Sequence, residues 1–69
     1  MSTNYDTIQN RFLREKEVRA RTGLRRTTRW RLEQAGDFPT RRRLSANAIG
    51  WLESEIEAWM QARIEVDAA

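Results

Sequence analysis

Residues 1–10 are polar and carry no hydrophobic period, which predicts a disordered leader. The first apolar pair, Phe12-Leu13, opens the ordered domain. Glu15 to Arg21 reads as a short first helix that sets Val18 and Ala20 among charges. It is too short to stand alone and must dock through Leu13, Val18 and Leu24. Gly23 follows where a helix end needs a left-handed residue. A second helix is predicted from Arg25 to about Ala35, closed by Gly36. On a helical wheel Thr28, Leu32 and Ala35 share its core side, Arg26, Thr27, Trp30 and Gln34 lie on or near the opposite side, and Arg25, Arg29 and Arg31 occupy the flanks.

Asp37-Phe38-Pro39 breaks that period, with Phe38 placed to cover the bottom of the core. Thr40 to Leu44 and Ala48 to Trp51 read as two short strands, joined through Ser45-Ala46-Asn47 with Asn47 able to take a positive φ. A third helix starts between Trp51 and Ser54. Leu52, Ile56, Trp59 and Met60 form its core stripe, and Ser54 with Glu57 matches a capping box. Trp51 and Trp59 are core residues in this reading, and residues 66–69 fray. The pattern as a whole predicts one domain over residues 11–65, mainly α with a small β-hairpin. Two helices joined by a glycine turn form a helix-turn-helix, and the hairpin is its wing.

Composition narrows the function. The chain has 69 residues, no cysteine and no histidine. Disulfides, thiolate metal sites and the commonest neutral-pH general base are therefore excluded, and an enzyme is not expected. No cofactor or metal is expected either. Glu53, Glu55 and Glu57 lie at a helix start, where acids suit the dipole, and residues two apart on a helix do not converge on one ion. No segment is long and apolar enough to cross a bilayer, and residues 1–6 do not read as a signal peptide, so a cytoplasmic location without membrane contact is expected. The net charge of +3 hides a polarity. Residues 11–43 hold twelve basic and four acidic side chains, whereas residues 44–69 hold one basic and five acidic. Twelve of the thirteen basic residues are arginine, whose planar fork pairs with phosphates and guanine edges.

Those arginines cluster in two places. Arg25, Arg26, Thr27, Thr28, Arg29, Trp30 and Arg31 belong to the second helix, which would enter a major groove with Arg26 and Thr27 nearest the base edges. Trp30 is expected as a partly buried ring near the sugar-phosphate backbone. Arg41, Arg42 and Arg43 belong to the wing. Strand alternation sends Arg41 and Arg43 one way and Arg42 the other, toward a groove, toward phosphates, or simply as a charged sheet edge.

The stretches Leu13-Arg14-Glu15-Lys16-Glu17-Val18, Thr22-Gly23-Leu24-Arg25-Arg26-Thr27-Thr28, Ala35-Gly36-Asp37-Phe38-Pro39 and Gly50-Trp51-Leu52-Glu53-Ser54-Glu55-Ile56-Glu57-Ala58-Trp59 together resemble the AlpA family of short phage and prophage regulators. The likeness covers residues 12–62. It implies a winged helix-turn-helix similar to MerR-type regulators and phage excisionases, with Arg26, Thr27 and Thr28 opening the recognition helix and Arg31 at a commonly basic position. Four residues depart from the family pattern. Arg25 replaces a capping hydroxyl, which Thr22 or a backbone shift would have to supply. Arg29 and Arg42 replace aliphatics, and Trp30 replaces tyrosine. These changes are expected to trade stability for DNA affinity, with the stems of Arg29 and Arg42 snorkelling outward.

The resulting expectation is a double-stranded DNA-binding regulator of phage or prophage genes, for example of integrase expression. A recombination directionality factor is the alternative. The reading from another class is a module that docks a regulatory protein. Further copies on tandem sites, and integrase itself, are the expected protein partners.

Overall fold

The computed structural model describes the chain from Asn10 to Ala68, with side-chain environments as far as Val66. The element order is β1 (Phe12–Leu13), α1 (Glu15–Thr22), α2 (Arg26–Gln34), β2 (Arg42–Ser45), β3 (Ala48–Leu52) and α3 (Glu53–Ala68). The leader predicted for residues 1–10 lies outside the described residues except for Asn10. The backbone of α3 stays helical past Val66, where the sequence pattern loses its period.

The helix-turn-helix is built from local chemistry. Glu17 accepts the Arg14 N–H at the start of α1 (3.2 Å), which satisfies one of the free donors of a helix N-terminus. Gly23 closes α1 at φ 73°, and its N–H donates to the Arg19 carbonyl at 2.8 Å. The Thr22 hydroxyl donates to the Val18 carbonyl (2.8 Å) and accepts the Leu24 N–H (3.2 Å), which ties down the turn itself. It therefore does not cap α2. Arg25 is the N-cap of that helix, and no side chain bonds there. At the far end, Gly36 at φ 80° donates to Glu33 and Asp37 donates to Leu32, the paired bonds of a Schellman stop.

The sheet has one more strand than the sequence pattern indicates. Its order is β1-β3-β2, all antiparallel, with Leu13 opposite Trp51 and Arg43 opposite Ile49. A two-residue β1 is too short to show alternation, so only pairing reveals it. Among the described residues no non-glycine takes positive φ, so Asn47 does not make the left-handed turn expected of it. The hairpin instead absorbs its twist through a register shift between Arg43 and Ser45, leaving Leu44 unpaired. Gly50 sits where β1 crosses β3. A Cβ there would lie 3.0 Å from Leu44 Cδ1 and 3.1 Å from the Leu13 carbonyl oxygen.

Leu13, Val18, Phe38, Trp51 and Ile56 form the buried core, with Leu24, Leu32, Ile49, Trp59 and Met60 packed against it. Phe38 closes the bottom as expected, edge-on to Trp59 with ring centroids 4.9 Å apart. The Trp59 indole N–H donates to the Asp37 carbonyl at 2.6 Å. The third helix starts at Glu53, one residue before the expected capping box. Its first N–H groups are capped from the other end of the domain: Glu53 donates to the Arg11 carbonyl (2.8 Å) and Ser54 to Asn10 Oδ1 (3.2 Å), while Asn10 Nδ2 donates to Ser54 Oγ (3.1 Å).

Three outcomes follow from this construction. Gly50→Ala should lower unfolding free energy by about 1–3 kcal/mol in urea titration, because the Leu13 carbonyl is backbone and yields only by moving β1. Asn10→Ala should cost about 1 kcal/mol by removing the cap of α3. The third concerns pH. A hydrogen bond from the Arg11 guanidinium, supported by the Arg14 N–H, holds the Glu17 carboxyl below its ordinary range. Its folded pKa thus lies under its unfolded one, so its contribution is full above the usual carboxylate range and is lost as pH falls through the folded value. Glu17→Gln should flatten the acid limb of a melting-temperature profile and leave the neutral region nearly unchanged.

Candidate nucleic-acid interface

The side of α2 that faces solvent carries Arg26, Thr27, Trp30, Arg31 and Gln34, with Arg25 just before the helix; all are exposed. Trp30 is 50% accessible, a large ring left among arginines. No acid lies in the first turn of α2 and no side chain caps it. Its N–H groups and the flanking guanidinium groups thus share one end of the helix, an arrangement suited to a phosphate.

The inward side of α2 differs from the wheel. Ala35 is exposed, Thr28 and Leu32 are half-buried, and Arg29 is the one fully buried residue of the helix. Its side chain does not snorkel. Nε donates to the Leu24 carbonyl at 3.0 Å, Nη2 pairs with Glu15, and the guanidinium lies 5.3 Å from the Trp51 ring centroid. The assignment of Arg29 to the DNA-facing flank is thereby corrected, as is the idea that its stem escapes to the surface. A guanidinium can lie inside when nearly every charged contact it needs is supplied there.

The wing arginines separate in the same way. Arg41 is drawn to Glu33: its backbone N–H bonds Oε2, its Nε–H bonds Oε1 at 2.8 Å, and its guanidinium lies 5.6 Å from the Trp51 centroid. Arg42 stays exposed but pairs with Glu55 on α3 at 2.7 Å. Arg43 is exposed, with Nε donating to the Ser45 carbonyl at 3.4 Å. Elsewhere Arg21 pairs with Glu53 at 2.6 Å and Arg11 with Glu17 at 2.8 Å. Among the described residues, no carboxylate lies within ion-pair reach of Arg25, Arg26, Arg31 or Arg43. The same holds for Arg14, Lys16 and Arg19 of the α1 region, all exposed. These last three were not singled out from the sequence. The signal was present, since Lys16 and Arg19 lie three apart and away from buried Val18.

Among the described residues no group of acids could hold a metal ion, and no helix is long and apolar enough to cross a membrane. Three helices with a small antiparallel sheet, mainly α with a β-hairpin, make a fold compatible with a winged helix-turn-helix. The family model described as "Prophage CP4-57 regulatory protein (AlpA)" matches residues 11–64, and this chain belongs to that family. It is also 44% identical over 59 residues to "Uncharacterized protein ORF88" of Enterobacteria phage P4, an alignment covering 86% of this chain and 67% of that protein. The family is one of phage regulatory proteins.

The buried pair gives a directional test. Glu15→Ala strands the Arg29 charge and should destabilise by about 1–2 kcal/mol, less than for a wholly buried partner because the Glu15 side chain remains 42% exposed. Adding Arg29→Leu to that variant should recover stability, measured by urea unfolding, since the stranded charge is then gone.

Proposed function

We propose that this chain is a site-specific double-stranded DNA-binding protein that regulates phage or prophage genes, with integrase expression as one such target. The observation that carries the reading is the sorting of its arginines. Among the described residues five are held by carboxylates, whereas the outward side of α2 keeps Arg25, Arg26 and Arg31 uncommitted beside Thr27 and Trp30. Ionised acids elsewhere in the fold had every electrostatic reason to attract these groups, and the chain directs them to solvent instead.

In this reading α2 enters the major groove. Arg26 and Thr27 reach base edges from its first turn, Trp30 lies against sugar and phosphate, and Arg25 and Arg31 neutralise flanking phosphates. Arg43 extends the contact from the wing, and Arg42, already paired with Glu55, serves chiefly to tie the wing to α3. Binding is the whole activity; regulation follows from which site is occupied. Copies on adjacent sites would supply the specificity that one short helix lacks. A recombination directionality factor would use the same surface on attachment-site DNA.

Electrophoretic mobility shift on the element's own integrase-promoter and attachment-site DNA, with excess random competitor, tests this directly. Discrete bands that survive competitor are expected; a smear that competitor abolishes would sink the reading. With Arg25, Arg31 and Arg43 as phosphate-reaching cations, log K against log[salt] should fall with a slope of about −3. Arg26→Ala should cost about 1–3 kcal/mol and relax preference at one base pair if its fork reads guanine. An equal loss on all sequences would make it a phosphate contact.

A further inference from the structure

Five side chains make one continuous line of contacts through the domain: Glu15, Arg29, Trp51, Arg41 and Glu33. Glu15 belongs to α1, Arg29 and Glu33 to α2, Trp51 to β3, and Arg41 directly precedes β2. Arg29 pairs with Glu15, Arg41 pairs with Glu33, and both guanidinium groups lie within 6 Å of the Trp51 ring centroid, the range in which a cation is attracted to the ring face. We infer that this Glu-Arg-Trp-Arg-Glu array is a positioning device. It fixes the outward face of α2 against the β2–β3 wing, so that Arg29 and Arg41 set DNA selectivity without touching DNA. The inference rests on the DNA-binding reading above.

Three observations carry it. First, α2 has no fully buried apolar residue; Arg29 is its buried anchor, supported by half-buried Thr28 and Leu32. Apolar contact is non-directional and would let a nine-residue helix roll, whereas a guanidinium bonded to a carbonyl and a carboxylate holds one orientation. Second, Glu33 is held by two donors of Arg41, one from the backbone and one from the side chain, so α2 is fixed to the chain entering the wing at two points. The Glu33 side chain is only 7% exposed, which limits the screening of that pair by water and salt. Third, the array leaves buried polar atoms unpartnered. Arg29 Nη1 and Trp51 Nε1 are buried donors with no acceptor among the described residues, and an apolar side chain at position 29 would avoid the first of these penalties. What the charged array adds over such a side chain is a fixed geometry.

The array reassigns two of the sequence's DNA-contact candidates, and the reassignment has a distinct signature. A phosphate-contacting arginine contributes to the salt slope; a positioning arginine does not. The test begins by selecting a preferred duplex from a random-sequence pool with the wild-type protein. Affinity for that duplex and for the unselected pool is then measured by fluorescence anisotropy across a salt series. Arg29→Met is the obvious variant but risks unfolding. Arg41→Gln and Glu33→Gln, nearer the surface, are measured beside it, each checked for folding by far-ultraviolet circular dichroism.

Arg41→Gln and Glu33→Gln should each lower the ratio of selected to pool affinity about tenfold, comparable to one mismatched base pair, with the salt slope unchanged. Arg41→Lys keeps the cation but not the fork on Glu33 and should recover part of the ratio. A slope reduced by about one in Arg41→Gln would make Arg41 a phosphate contact and overturn the inference. So would folded Arg41→Gln and Glu33→Gln variants with wild-type ratios, since a purely structural role would change melting temperature alone. Enrichment of a sequence by the wild type, followed by unaltered variants, would sink this inference and leave DNA binding standing. A selection that enriches nothing would remove both.

Discussion

The Arg29 guanidinium is the group around which this small domain is arranged. It is 1% exposed, in a domain where only five apolar side chains are buried among the described residues. Removing such a group from water is costly unless its charge and its donors are met. The fold meets the charge and all but the Nη1 donor from three directions: a carboxylate from α1, a carbonyl from the turn between the helices, and the face of Trp51 from the sheet. Each requirement draws an element into place. The seating of α2 therefore depends on satisfying one charged side chain as well as on excluding water from an apolar core.

The same pressure sorts the rest of the charge. An arginine near a carboxylate in a partly shielded place is retained there, as with Arg41 on Glu33 and Arg21 on Glu53. Exposed pairs such as Arg42 with Glu55 contribute little to stability but orient the side chains they hold. What remains uncommitted lies largely on α1 and the outward face of α2. The chain's polarity, basic before residue 44 and acidic after it, is thus partly consumed inside the domain. The surplus is presented along the two helices of the helix-turn-helix.

Closure of the domain depends on the segment just before α1. Asn10 and Arg11 cap the first turn of α3, and Phe12 and Leu13 pair with Leu52 and Trp51. The start of the described chain therefore secures both the last helix and the central strand. The wing gains a third strand at its inner edge, which gives an otherwise marginal two-stranded hairpin a firm base. A wing so supported can hold Arg43 at a fixed distance from α2.

Local rules read much of this from sequence. Gly23 and Gly36 marked the helix ends because only a residue free of Cβ strain takes the left-handed turn there, and Val18, Phe38, Trp51 and Ile56 marked the core by size and apolarity. The outward placement of Arg26, Thr27, Trp30 and Gln34 followed from helical period alone. Tertiary structure decided the remainder. It turned α2 so that Arg29 and Glu33 point inward and Ala35 outward, it took Arg41 and Arg42 into ion pairs, it paired β1, and it capped α3 with Asn10 in place of its own Ser54. The physical reason is common to these cases. A wheel scores each residue by its own affinity for water, but whether a charge can be buried, or a strand or cap can form, depends on a partner distant in sequence, and only the folded chain brings the two together.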